Sequence, residues 1–468
     1  MLIPLVCLMA VASASDPTCK TGMQTPGTTI CCAKSCGRCG GTGCENLPGG
    51  PDSCCAGQIK KNGKSCATSD PPCNTVPSVQ YALVLDAAPP ASKQLFHNHS
   101  WPSWGGTIVR GTANDSHPYH LFAASFANGC GLYGWIRNGI VIHATASTPA
   151  GPYTFHDVAL PVFQHNPHAV KHPDGTYLLF GIGQANNASW ECPCHDGRPI
   201  MPDGKPATDA DAAPIDHAQL HLSRSPYGPW ENVMGPNGRD YLFETNNANP
   251  APWIFKNGSL IVVTCQFDVW YADHYRSEYK KIGRLPFIAM NAARNDSVAR
   301  QLTHNFTCQL TIEDPYIMYD ETVAVWRVLM HQYLRCPADG QDLETQADGL
   351  SLVGGYAVSE TSDLFGAWRY DFAKPAYGTA VSFTDGHSGL LAGRERPKVF
   401  FDDDGKPSLL TNGVRPSMSA GGDKNVNEMG VFTFVQPIDR FAFDTLDAQL
   451  VSPHAGAQLG SPQGFNFD

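Results

Sequence analysis

The chain has 468 residues, 42% of them hydrophobic, which is enough to bury a sizeable core and long enough for two or three domains. Its formal net charge of −11 offers no basic face to a nucleic-acid polyanion or an anionic membrane surface, so neither is expected as a partner. Charged residues make up only 16%, while 45 Gly and 37 Pro mark a chain rich in turns and short strands.

Residues 1–15 open with the apolar run Leu2-Ile3-Pro4-Leu5-Val6-Cys7-Leu8-Met9-Ala10-Val11 and continue into Ala12-Ser13-Ala14-Ser15, the pattern of a secretory signal peptide with a small-residue cleavage site. Only the terminal amine supplies positive charge ahead of the run, so an uncleaved anchor is the competing reading. No later segment is apolar enough to span a bilayer. Of the 17 cysteines, loss of Cys7 with the signal leaves an even number, ten of them between Cys19 and Cys73. An even, clustered set in an exported chain predicts disulfides. Sequons at Asn98, Asn114, Asn187, Asn257, Asn295 and Asn305 predict glycosylation in the same compartment, outside the cell or in its wall.

Residues 16–75 carry almost no aliphatic side chains, so a module here is held by crosslinks rather than by a core. Cys36-Gly37-Arg38-Cys39 has the spacing of half a zinc site. The module contains no histidine, however, and export favours oxidation. The stretch from Asp70 to Pro77 reads as the linker to a second domain over 76–468.

From about Ser78 the chain becomes short strands bounded by turns. The first hairpin is Trp104-Gly105-Gly106-Thr107-Ile108-Val109 followed by Tyr119-His120-Leu121-Phe122-Ala123, and later units open at His165, Asn249, Glu313 and Glu395. Four openings share a phrase: His165-Asn166-Pro167, Ala248-Asn249-Pro250, Glu313-Asp314-Pro315 and Arg394-Glu395-Arg396-Pro397. In three of them a turn dipeptide follows the proline by seven residues, at Asp174-Gly175, Asn257-Gly258 and Asp404-Gly405. A blade-end signature recurs at Ser147-Thr148-Pro149-Ala150-Gly151-Pro152-Tyr153, at Ser223 to Trp230, and at Ser359 with Gly366-Ala367-Trp368. Five units of four strands predict an all-β, five-bladed β-propeller around a central channel, preceded by the small disulfide-rich module. A β-sandwich is the alternative, and it leaves the repeated openings unexplained.

The first strand of a propeller blade lines the channel, so equivalent positions converge at one mouth. Two residues before each proline stand His165, Ala248, Glu313 and Glu395, joined by Asn249 and by Trp104 or Gly105 of the first blade. Paired carboxylates across a pocket serve as general acid and base when their environments separate their pKa values, which makes Glu313 and Glu395 the expected catalytic pair. Counting outward from the turn near Glu321 sets His331 opposite Glu313, and the same count sets Gly183 opposite His165 and Asn412-Gly413 opposite Glu395. His165, His331, Asn249, Trp104 and Arg394 are the expected substrate-binding residues. The competing readings are structural: Glu395 lies between Arg394 and Arg396 and can knit blades together, His165 and His168 can be core histidines, and Asp402-Asp403-Asp404 and Asp174 are turn formers.

An insertion from Ala185 to His217 is expected to form a lid or subsite wall in blade two. Its Cys192, Cys194 and His195 carry metal-ligand atoms, but an exported chain favours disulfides to Cys130, Cys265, Cys308 or Cys336. Trp101, Trp104, Trp135, Trp253 and Trp270 either stack on sugar rings or fill the core between blades.

Glu313-Asp314-Pro315-Tyr316-Ile317 resembles the Glu-x-Pro strand opening that holds the general acid in glycoside hydrolase family 43 and related five-bladed propellers. The Gly-Pro-Tyr and Gly-Pro-Trp blade ends, the Asp-Gly hairpins, Arg394-Glu395-Arg396-Pro397 and Thr411-Asn412-Gly413-Val414 are similar to the same superfamily, over roughly residues 95–440. The resemblance implies inverting attack on arabinosides or xylosides by a blade-one Asp base, a blade-three Asp that tunes pKa and a blade-four Glu acid. Only the acid matches, at Glu313; Asn249 stands where the blade-three Asp belongs, and Gly105 or a neighbour where the base belongs. Either Glu395 or a loop carboxylate such as Glu191 substitutes, or the protein binds glycans without cleaving them. A third reading makes the cysteine module the working part of a wall or matrix protein. The implied partner is a polysaccharide, the chain is expected to act as a monomer, and no cofactor is implied beyond a structural divalent cation that the channel leaves open.

Overall fold

The computed structural model describes residues 22–24, 31–33, 81–90, 93–94, 102–112, 114–183, 191–208, 217–245, 248–286, 309–336, 341–343, 353–372, 374–415 and 429–441. The predicted signal segment, most of the cysteine module and the sequons at Asn98, Asn187, Asn295 and Asn305 lie outside the described residues. Asn114 and Asn257 both sit in exposed turns.

Five antiparallel sheets form the blades, four of them four-stranded and the fourth blade's carrying a fifth short strand, Gln341–Leu343. Blade 1 is Ser103–Arg110, Tyr119–Phe126, Gly139–Ala146 and Thr154–Leu160. Blade 2 is Gln164–Lys171, Tyr177–Gly183, Ala218–Ser223 and Glu231–Asn232. Blade 3 is Ala251–Ile254, Leu260–Val263, Asp268–Ala272 and Lys280–Arg284. Blade 4 is Gln309–Asp320, Val325–Cys336, Gly354–Ser359 and Trp368–Tyr370, and blade 5 begins with Gly393–Phe401, Pro407–Arg415 and Phe432–Phe441. Five separate sheets in sequence order make an all-β propeller and set the sandwich aside.

The period-two pattern of the second strands explains why the sheets stack face to face. In blade 2, Leu178, Phe180 and Ile182 pack against Leu260 and Val262 of blade 3, while Tyr177 and Leu179 pack against Val109, Phe122 and Val141 of blade 1. In blade 3, Ile261 and Val263 turn the other way and meet Ile317, Trp326 and Val328 of blade 4. Two further cores join blade 4 to 5 and blade 5 to 1. Each fully buried Leu, Ile, Val or Phe contributes about 1.5–3 kcal/mol, so the stability of every blade resides in its two neighbours.

The ring closes with a strand the sequence pattern did not reveal. Leu83–Leu85, ahead of blade 1, pairs with Phe432–Phe441 as the outermost strand of blade 5. Gln94 supports the closure, accepting the Val435 N–H at 2.9 Å and donating to the Val435 carbonyl at 3.2 Å. The expected hairpin turns are present, with Gly175, Gly258 and Gly405 at φ of 87°, 88° and 75°. Those values lie where a side chain is disfavoured, which is why glycine closes each turn.

Candidate functional site at the channel mouth

The repeated x-Pro openings are β-bulges. Trp104 pairs with Ala124 and Thr107 with Phe122; His165 pairs with Ile182 and His168 with Phe180. Glu313 pairs with His331 and Tyr316 with Leu329; Glu395 pairs with Gly413 and Lys398 with Thr411. In all four blades the inner strand carries one residue more than its partner. The extra residue takes the left-handed conformation at Gly105 (φ 59°), Asn166 (53°), Asp314 (54°) and Arg396 (55°), and Asn249 does the same before Pro250 at 30°. Proline fits the next position because a bulge needs no ladder N–H there.

This corrects the expected geometry by one residue. The side chains that meet at the axis are those directly before each proline, whereas His165, Glu313 and Glu395 are the last paired residues before the bulge. The register shift also explains a second correction: Ile182, not Gly183, lies opposite His165. The pairings of Glu313 with His331 and of Glu395 with Gly413 agree with the count from the turns.

The five left-handed residues form a ring that lines a narrow pocket of about 10 Å³, room for roughly one water, with Trp104, Gly106, Pro167, Pro250 and Lys398. Asn166 donates to Asn249 Oδ1, Asn249 donates to Asp314 Oδ1 at 2.6 Å, and Arg396 donates to the same oxygen at 2.8 Å. Gly105 completes the ring; a Cβ built there would come 3.3 Å from Arg396 Cβ. Asp314 is 2% exposed. Burial pushes its carboxyl up to about 6 despite Arg396, and Glu313 and Glu395 push the same way. Burial likewise lowers the Lys398 ammonium to about 8, against the pull of Asp314.

Glu313 and Glu395 sit on the ladder residues beside this ring. Glu313 Oε1 lies 3.2 Å from His331 Nδ1, and Arg415 donates to Glu395 Oε1 at 2.7 Å. Ligand atoms of Glu313, Asp314, His331 and Glu395 all lie within 4.8 Å of one another, so the cluster has the donors to hold a cation as well as the carboxyls to move a proton. Cys265 lies buried beside it, its thiol pushed up by burial and by Asp314 and Glu313.

The other expected residues divide. Asn249 belongs to the ring and His331 to the mouth. Trp104 lines the pocket but is 1% exposed, its indole laid so closely on Gly413 that a Cβ there would meet it at 2.5 Å. His165 is buried between Phe126 and Trp135, each with ring centroid 6.0 Å away, and burial holds its imidazole well below the usual range. Arg394 does not reach the channel. It is fully buried, donates to Asn412, Gly378 and Gln436, and lies over the rings of Tyr377 and Phe434, so it acts as a clamp inside blade 5. His168 stacks on Tyr316 at 5.5 Å.

Sequence reasoning missed Asp314, Arg396, Lys398 and Arg415. The signal for Asp314 was available: an Asp, Asn or Gly directly before a strand proline marks a left-handed bulge residue, a rule that Arg396 does not obey. Arg415 stands two residues beyond Gly413 on the same face of the strand, which is the period that brings it to Glu395. The insertion in blade 2 is fastened to blade 1 by a disulfide between Cys130 and Cys194, by Asn138 donating to the Cys192 carbonyl at 2.7 Å, and by Arg198 over Tyr133.

No known protein-family profile and no curated protein matches the chain. Among solved structures it is similar to a thermostable family-43 glycoside hydrolase at 13% identity, covering 74% of this chain and 92% of that one with a TM-score of 0.40. It is also similar to an endo-arabinase from Bacteroides thetaiotaomicron (12% identity, 75% and 97% covered, TM-score 0.38). A family-43 protein from Bacillus licheniformis gives 10% identity and a TM-score of 0.41 over 74% of this chain, which spans only 57% of that longer protein. At these identities and scores the likeness identifies neither a substrate nor a reaction, and the propeller rests on the five sheets themselves.

Proposed function

We propose that the protein is a glycosidase acting on O-glycosidic bonds of extracellular polysaccharide, with Glu313 as proton donor and Glu395 as the second carboxylate. The observation that carries this reading is the approach of the two side chains, with carboxylate oxygens within 4.8 Å at the mouth of a channel. A pair that acts by inversion stands about 6.5–9.5 Å apart to admit a water, and a retaining pair about 5–5.5 Å. The nearest-oxygen approach lies on the retaining side of that divide, and Gly105-Gly106 offers no base from blade 1.

The chemistry that follows departs from the inverting route the sequence resemblance implies. Glu313 gives its proton to the leaving oxygen while a Glu395 oxygen attacks the anomeric carbon, forming a glycosyl ester. Glu313 then takes a proton from water as that water displaces Glu395. His331 positions Glu313, Arg415 positions Glu395, and Asp314, raised by burial, keeps a proton in the cluster at mildly acidic pH. Arabinosides and xylosides are the first substrates to try.

A second reading, glycan binding without cleavage, draws on the Arg415–Glu395 ion pair, which is also what a purely structural carboxylate would make. A panel of aryl pentosides and hexosides with polysaccharide product analysis decides. Glu313→Gln is expected to lower turnover by about 10²–10⁴-fold with an unchanged melting temperature. Equal hydrolysis by the variant contradicts the assignment, and glycan binding by the wild type with no sugar released supports the second reading.

A further inference from the structure

Blade 1 carries a second cluster of titratable side chains, on strands away from the channel. Tyr227 donates its hydroxyl to Asp115 Oδ1 at 2.9 Å, and the His117 N–H donates to the same oxygen at 2.9 Å. Asp115 Oδ2 lies 3.0 Å from His120 Nε2, and His120 Nδ1 lies 2.8 Å from His143 Nε2. His143 Nδ1 lies 3.3 Å from Asp157 Oδ1, and Asp157 Oδ2 lies 3.3 Å from His156 Nδ1.

The tautomers follow from the acceptor end of this relay. An ionised carboxylate only accepts, so His120 donates through Nε2, and a neutral ring that donates there accepts at Nδ1. His143 therefore donates through Nε2 and keeps a lone pair on Nδ1. Both imidazoles are buried, at 0% and 1% exposure, and burial disfavours their charged forms. His143 Nδ1 and Asp157 Oδ1 are then two acceptors facing each other, and neither has a hydrogen-bond partner among the described residues.

The backbone places a third donor beside them. Consecutive strand residues point to opposite faces. Here His143 pairs with Asp157 but Ala144 pairs with Phe155, so His156 is the extra residue of a bulge, and the bulge re-aims it toward the face of Asp157. Donor atoms of His143, His156 and Asp157 consequently lie within 4.8 Å of one another.

We propose that this cluster is a zinc site, with His143 Nδ1, His156 Nδ1 and the Asp157 carboxylate as protein ligands and a fourth position open to water. Tetrahedral bonds of about 2.0–2.2 Å set neighbouring donors roughly 3.3–3.6 Å apart; Asp157 Oδ1 stands 3.3 Å from His143 Nδ1 and Asp157 Oδ2 3.3 Å from His156 Nδ1. Two imidazoles and one carboxylate suit zinc, whereas magnesium and calcium favour all-oxygen sets. His120 and Asp115 form the carboxylate–histidine support that orients a ligating imidazole. His156 and Asp157 are 44% and 43% exposed, which gives the ion a path in from solvent. The ion ties the third and fourth strands together across the bulge.

The test uses the full chain, stripped with chelator and titrated with zinc by calorimetry, with cobalt as the spectroscopic probe. One ion is expected at this cluster, giving visible cobalt bands without thiolate charge transfer. His156→Ala, at an exposed position, is expected to abolish these bands and to weaken zinc binding by about 100-fold or more, beyond the scale of a lost supporting residue. Tyr227→Phe keeps every ligand, removes only the hydroxyl on Asp115, and is expected to weaken binding by about 10-fold. Both variants are checked for an unchanged melting temperature after metal removal. No zinc binding by the folded wild type overturns the proposal, as does equal binding by His156→Ala and Asp157→Asn, or a thiolate band that places the ion on cysteine.

Discussion

At the channel the inner strand of blade 1 bulges at Gly105-Gly106 and that of blade 4 at Asp314-Pro315, each with one residue left over and the first of the pair in the left-handed region. Blade 1 brings no ionisable side chain to that turn; blade 4 brings Asp314 at the bulge and Glu313 just before it. The bulge is therefore the requirement of the fold, and the side chain it carries is the requirement of the site. Gly105, Asn166, Asn249 and Asp314 suit a left-handed backbone, since glycine lacks a Cβ and Asn and Asp tolerate the region best among the rest. Arg396 does not, and holding it there costs about 1–3 kcal/mol. Its ion pair with Asp314 offsets that strain and links blade 5 to blade 4.

The comparison breaks first at Arg396. Arg396→Ala leaves Asp314 buried without its countercharge, and equilibrium urea unfolding at neutral pH is expected to show a loss of about 3–5 kcal/mol. A loss below about 1 kcal/mol, the range of an exposed pair, would show that Asp314 is not desolvated as described.

A smaller effect separates the two glycines of blade 1. A Cβ on Gly106 would sit 2.6 Å from the Phe122 carbonyl oxygen at φ 126°, whereas one on Gly105 would sit 3.3 Å from Arg396 Cβ at φ 59°. Gly106→Ala is expected to lose at least the ~1–3 kcal/mol of a forbidden backbone region, and Gly105→Ala about 1 kcal/mol. Equal melting temperatures for the two variants would contradict the bulge geometry.

The smallest effect is a slope. Asp314 titrates at about 6 in the folded protein against 3.8 for an ordinary carboxyl, so between these values the native state binds more protons than the unfolded chain. Its contribution is fully present below about pH 4 and is lost as pH rises through about 6. Asp314→Asn is expected to remove this fall of stability across pH 4–6. An unchanged profile would place the proton elsewhere in the cluster.

Much of the architecture was legible because propeller blades repeat their own punctuation. Asp174-Gly175, Asn257-Gly258 and Asp404-Gly405 marked the hairpins, and counting from a turn located His331 opposite Glu313. The shift at the channel was harder to see, because a bulge changes which neighbour faces inward while leaving the hydrophobic pattern intact. Leu83–Leu85 closes the ring across more than 340 residues of intervening chain, a pairing that no local pattern encodes. The pairing of Cys194 with Cys130 was one of several open choices until the insertion was seen folded onto blade 1. Arg394 resembled a binding residue in a charged tetrapeptide, but strand alternation turned it into the blade and left its neighbours Glu395 and Arg396 for the mouth and the axis.

The stereochemistry of hydrolysis tests the central claim most directly. Proton NMR of the first sugar released from an arabinoside or xyloside reports its anomeric configuration before mutarotation. The close approach of Glu313 and Glu395 oxygens, with no blade-1 base beside them, predicts retention. Release of the inverted anomer would show that a water attacks from the side of blade 1, and would contradict the assignment of these two carboxylates as the reacting pair.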